Sequence, residues 1–210
     1  MTLEITEAWR ACLTEMWTAF SHGSIPVGAV YVDGSGTIRY RGRNRLYERQ
    51  APHPYISGSR IGHAEMNVLV QIPTDDYPNI GQGILYTTLE PCPMCTGSLV
   101  MSGVRSVRYG ARDGEWGALA LLTREPLVKK PVVVEGPHPV VEIMSLALSI
   151  VRCVEHPSSR AADFIRTFSA TNPAAGRLAQ QWIATRFLAS AIDRGDPVDR
   201  VIDAVLTAME

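Results

Sequence analysis

His63 and Glu65 stand in the stretch HAEMNVL, and Cys92 and Cys95 follow in LEPCPMC. One imidazole and two thiols suit zinc, and three protein ligands leave open the fourth position that a catalytic zinc keeps for water. Two thiolates and a neutral imidazole make Zn²⁺ formally neutral, and water bound there ionises near neutral pH. Glu65 lies two residues beyond His63, a spacing that aims the two side chains differently on a helix, so its carboxylate reaches the water rather than the metal. Cys92 and Cys95 are three apart, which puts both sulfurs near one side of a first helical turn whose partial positive charge favours thiolates. Metal-assisted hydrolysis, with a carboxylate moving protons, is the chemistry this set can do.

These residues need elements to hold them. HAEMNVLVQI reads as a short helix with Met66, Leu69 and Val70 towards the core, and Gly62 before it lets the backbone approach closely. GILYTTL, residues 83–89, reads as a buried strand that delivers the chain to the cysteines. Pro93 then fits the first position of a second helix that ends near Gly103. Upstream, Trp9, Leu13, Met16, Trp17 and Phe20 recur at helical spacing, and SIPVGAVYVDGSGTIRYRGRN reads as two strands around the turn Asp33–Gly36. Residues 45–62 show no periodicity and carry Pro52, Pro54, Gly58 and Gly62, which predicts a long loop. VRSVRYGA and KPVVVEG supply two further strands, so the pattern is an α/β layered domain with its sheet between helices. HPVVEIMSLALSIVRCV is apolar over most of its circumference and reads as a buried helix.

Beyond Pro157 three shorter amphipathic patterns follow, around Phe164 and Phe168, around Leu178 to Ile192, and from Val198 to Met209. The last is expected to start at Asp196 as N-cap with Pro197 at the first helical position. The chain therefore divides into residues 1–156, which carry the metal motifs, and a helical extension, 157–210, whose apolar stripes pack on that domain or on a second subunit. The net charge of −1 supplies no global field towards nucleic acid or anionic membrane, so any basic site is local. The first residues lack a signal peptide's basic start, and no apolar run is long enough to span a bilayer, which points to the cytoplasm. Only four cysteines occur, two of them in CPMC, favouring a metal site in a reducing compartment over a disulfide framework.

HAE followed by PCPMC resembles the zinc-dependent nucleobase deaminases of the cytidine and deoxycytidylate deaminase superfamily. PVGAVYVDG, GRNR, LYTTLEPCPMC and VRYGARD each resemble, in order, segments of bacterial tRNA adenosine deaminases and guanine deaminases. The resemblance implies a three-layer α/β/α fold with a central five-stranded mixed sheet, a homodimer or larger homo-oligomer, and one zinc per chain held by His63, Cys92 and Cys95. It makes Glu65 the proton shuttle and sets Asn44, Ala64 and Trp116 against the substrate. The implied reaction is hydrolytic: hydroxide attacks a ring carbon bearing an exocyclic amine, ammonia leaves and a carbonyl remains.

Plainer readings exist. A structural zinc would draw a fourth ligand from Cys12, His22, His53 or Cys153, none of which belongs to a second ligand pair. Asn44 also suits a turn, Trp116 also suits packing, and Cys12 and Cys153 suit the core as small apolar residues. A catalytically idle relative that binds nucleic acid or a partner would typically lack the carboxylate, which here is present. For the substrate, residues 38–60 hold six arginines against Glu48 alone, with Tyr40, Tyr47 and Tyr55 interleaved, a pattern that suits RNA or an edge strand guarded by charge. The long loop before HAE, and SGSRIG in place of the D-P-T-A lead-in of the tRNA enzymes, favour a free nucleobase, nucleoside or related amino-heterocycle; among these the resemblance slightly favours a purine-type ring, and tRNA adenosine is the alternative.

Overall fold

The computed structural model describes residues 3–210. Its centre is a five-stranded mixed sheet in the order β2-β1-β3-β4-β5. β1 (Gly28–Val32) runs antiparallel to both β2 (Ile38–Arg43) and β3 (Ile84–Leu89), whereas β3, β4 (Ser106–Ala111) and β5 (Val133–Glu135) are mutually parallel. β1 is buried at every residue because the sheet is covered on both faces, and its alternation sorts the two cores. Val30 and Val32 join α1 (Glu7–Ser21) and α4 (Pro139–Glu155), while Ala29 and Tyr31 join α2 (Ala64–Leu69) and α3 (Pro93–Ser102). This is the three-layer α/β/α fold, with residues 45–62 free of helix and strand.

Local chemistry sets the helix ends that matter here. Cys92 is the N-cap of α3, with Pro93 inside its first turn, and Gly103 closes it in the left-handed conformation at φ 93°. His63 is the N-cap of α2. The inward face of α2 differs from the expected one: Ala64, Val68 and Leu69 are buried, whereas Met66 and Val70 are only half-buried. The helix is a single short segment whose orientation is fixed by packing against β2 rather than by its own periodicity. Gly42 of β2 makes that packing possible, since a Cβ there would lie 2.6 Å from the carbonyl oxygen of Ala64.

After α4 come four helices, not three: α5 (Ala161–Thr171), α6 (Pro173–Thr185), α7 (Phe187–Arg194) and α8 (Val198–Met209). The apolar pattern from Leu178 to Ile192 continues through a break at Arg186, which adopts the left-handed conformation at φ 52°. Asn172 caps α6, its Oδ1 accepting from the Ala174 and Ala175 N–H groups. At α8 the expected capping fails: Pro197 itself occupies the N-cap, and the Asp196 carboxylate pairs with Arg194 instead. The Asp196 carbonyl accepts from Trp17 Nε1 at 3.0 Å, tying the end of the extension to α1. Phe168, Leu178, Trp182, Leu188, Val201 and Val205 lie in one continuous core with Trp17, Met144 and Leu148. No helix of the described residues is long and apolar enough to cross a membrane.

Candidate metal and substrate site

The N-termini of α2 and α3 meet beside the end of β3. His63 Nδ1 lies 3.6 Å from Cys92 Sγ and 3.6 Å from Cys95 Sγ. Bonds of about 2.1 Å to nitrogen and about 2.3 Å to sulfur at a tetrahedral angle put those atoms about 3.6 Å apart, so the three side chains already have the spacing of a zinc site. Among the described residues this is the one group of its kind, and Cys12, His22, His53 and Cys153 stand outside it. Cys12 is core, as expected; Cys153 is only half-buried and lines the cavity described below.

The protonation pattern fits a cation as well. The hydrogen bond from Cys95, followed by that from His63, drops the Cys92 thiol to about 4. Cys95 is pushed up by its bond to Cys92, by burial and by Glu65, while His63 is raised foremost by Cys92. Without metal the pair therefore holds one thiolate, and a dication would displace the proton that Cys95 keeps. Glu65 Oε2 lies 3.4 Å from Cys95 Sγ, a contact that a Cys95 thiolate bound to a metal could no longer make as donor. Its other oxygen, Oε1, accepts from the Thr87 hydroxyl at 3.0 Å. Glu65 is only 4% exposed, and burial raises its pKa.

A cavity of about 670 Å³ opens over this centre, lined by Asn44, His63, Ala64, Glu65, Cys92 and Trp116 among others, with Cys95 fully buried beneath. Every residue expected to touch metal or substrate thus lies at one place. Asn44 is 3% exposed, and its Oδ1 is occupied by the Ser24 hydroxyl at 2.8 Å and the Leu46 N–H at 3.0 Å. That fixes the side-chain amide so that Nδ2, which donates to no described residue, offers its N–H groups to the cavity. Asn67 braces the loop around it, donating to the Arg43 and Ile56 carbonyls and accepting from the Ile56 N–H.

Several lining residues were not singled out from the sequence. Glu90 accepts from the Asp113 and Leu119 N–H groups, and Asp113, its pKa raised by burial, accepts from Glu115 and Trp116. Ser149 and Arg152 enter from α4, and Phe164 and Phe168 from α5. Their one sequence signal is helical spacing, which reads as core.

The family model for the cytidine and deoxycytidylate deaminase zinc-binding region matches residues 4–111, which hold all four motif residues. The chain belongs to this family. It is a zinc-binding deaminase, a class of hydrolase acting on C–N bonds. A tRNA-specific adenosine deaminase of Bacillus subtilis is 33% identical over 132 residues, covering 60% of this chain and 76% of the relative. A cytosine deaminase of Candida albicans is 31% identical over 113 residues, covering 52% of this chain and 68% of the relative. A solved structure from work on tRNA:A34 deaminases superposes with a TM-score of 0.53 at 25% identity, covering 62% of this deaminase and 91% of that chain.

Proposed function

We propose that this deaminase removes the exocyclic amine of a free nucleobase, nucleoside or related amino-heterocycle, a purine-type ring slightly favoured, leaving a carbonyl and ammonia. The observation that carries the reading is the buried Glu65 carboxylate at the cavity, one oxygen held by the Thr87 hydroxyl and the other 3.4 Å from the metal-ligating sulfur of Cys95, with Asn44 lining the same cavity. Bound zinc, held by His63, Cys92 and Cys95, supplies a hydrolytic nucleophile at neutral pH. Glu65 Oε2 takes the proton of the attacking water and passes it to the adjacent ring nitrogen; a second transfer through the same carboxyl carries a proton to the departing amine. Asn44 Nδ2 donates to an acceptor on the ring edge and holds the reacting carbon in register. Water supplies the oxygen and both transferred protons, so the reaction is redox-neutral.

Two features favour a small substrate over an anticodon stem. Arg43 and Arg45 are spent on Glu48, with Arg43 Nε at 2.9 Å from its carboxylate and Arg45 at 2.5 Å, which withdraws two of the six arginines of residues 38–60 from any phosphate. Aromatic side chains of α5 also occupy one wall of the cavity. The second reading, tRNA adenosine, is supported by the named relatives and by Arg39 and Arg41, which remain exposed. Ammonia release from guanine, adenine, cytosine, their nucleosides and an anticodon stem-loop separates the two. Turnover of a base or nucleoside is expected; efficient turnover of the stem-loop alone, weakening steeply with salt, would overturn the choice.

A further inference from the structure

Part of the cavity wall comes from beyond the family-matched segment, from the loop Asp113–Gly117 after β4 and from α5. The two are fastened together. Glu115 Oε1 accepts from the Thr167 hydroxyl at 2.5 Å, and Oε2 accepts from Arg160 at 2.6 Å, with the Glu115 side chain only 13% exposed. Gly114 allows the approach, since a Cβ there would lie 2.6 Å from Thr167 Cγ2. Asp113 Oδ1 holds the Glu115 and Trp116 N–H groups, each at 2.9 Å, which sets the direction in which Trp116 leaves the loop. Arg160 then bridges two rings, its guanidinium carbon 5.5 Å from the centre of Trp116 and 5.4 Å from that of Phe164. Trp116 is nevertheless 51% exposed while lining the cavity. An indole held from behind by a cation, with its loop pinned and much of its surface open, is built to stack on something flat.

We infer that Glu115, Arg160 and Thr167 are positioning residues that pin Trp116, the side chain the resemblance sets against the substrate, and that Phe164 of the extension joins it in one aromatic wall for planar heteroaromatic rings. The inference rests on the deaminase reading only for the ligand's chemical class. The wall acts by stacking, so it acts on affinity and leaves the proton transfers to Glu65; a bicyclic ring, covering more of the aromatic surface, gains more from it than a monocyclic one. The extension thereby becomes part of the site.

The test is a fluorescence titration with 2-aminopurine, whose emission is quenched on stacking, using zinc-loaded Glu65→Gln protein as the parent. Adding Glu115→Ala, Trp116→Ala or Phe164→Ala is expected to weaken binding about tenfold, and Glu115→Gln, which keeps the length and one acceptor oxygen for Arg160 while its amide N–H can donate to the Thr167 hydroxyl, to stay within about threefold of the parent. Trp116→Ala changes a largely exposed side chain and so reports even if the Glu115 variant folds poorly. Unchanged affinity across the three alanine variants, or no binding by the parent, would overturn the inference. Ammonia release by the wild type is scored separately: release with flat affinities removes the wall and leaves deamination, whereas affinity losses without release from any compound leave the wall and remove deamination.

Discussion

The metal centre and the C-terminal extension are built in opposite ways. At the centre, His63, Cys92 and Cys95 converge from the starts of two helices with Glu65 beside them, a set marked by residue type within two short motifs. In the extension, α5 to α8 carry almost no reactive groups and derive their meaning from what they cover: α1, α4 and one wall of the cavity. Chemistry here depends on atom type at short spacing, whereas enclosure depends on tertiary packing that any suitable apolar face could supply.

Removing the extension should have the largest effect. A chain ending at His156 exposes the faces of α1 and α4 that Trp182, Val201 and Val205 cover, and it is expected to aggregate or lose its cooperative melting. A soluble fragment with an unchanged melting transition would show that the two regions are independent. Next is Glu65→Gln, which should retain a full complement of zinc while lowering kcat by about 10²–10⁴-fold. Cys92→Ala should lose the metal itself, so metal analysis beside an ammonia assay separates the two; equal zinc loss in both would remove the shuttle role. Trp182→Ala, inside the shared core and 3% exposed, should destabilise by about 3–5 kcal/mol in denaturant unfolding.

The smallest expected effect concerns His138, the N-cap of α4. Its Nδ1 accepts from the Val141 N–H at 3.5 Å, its Nε2 lies 3.1 Å from the Glu4 carbonyl, and burial lowers its pKa. A histidine with a depressed folded pKa stabilises most above its unfolded value of about 6.5 and loses that contribution as pH falls through the folded pKa. Protonation also turns the capping acceptor into a donor facing an N–H. Melting at pH 8 and pH 5 should therefore show an acid-induced loss of about 1 kcal/mol that His138→Ser, a cap that does not titrate in this range, largely abolishes. An equal loss in both proteins would place the acid sensitivity elsewhere.

The sequence exposed the centre far better than the enclosure. The placing of His63, Glu65, Cys92 and Cys95 at one point is readable because a zinc site constrains residue type and local spacing together, and Asn44 and Trp116 are candidates through similarity of neighbouring segments. The strands and the buried α4 followed from hydrophobic patterning. The orientation of α2 did not, because six helical residues carry too little periodicity to outweigh the approach of β2 at Gly42. The break at Arg186 was hidden because the apolar spacing runs on through a left-handed residue that is not glycine. Phe168 is core, as its spacing suggests, and also borders the cavity, whereas Phe164 is only partly buried and reaches the cavity through the docking of α5 beside the loop after β4.

That docking also gives the site an order in time. A ribosome releases His63, Glu65, Cys92 and Cys95 well before Phe164, so synthesis passes through an interval in which the ligands exist and the α5 side of the cavity is still bare. During that interval a metal ion can arrive across an open approach, and the closing of Glu115 onto Arg160 and Thr167 comes afterwards. The wall that narrows the entry is thus released later than the residues that would hold the metal.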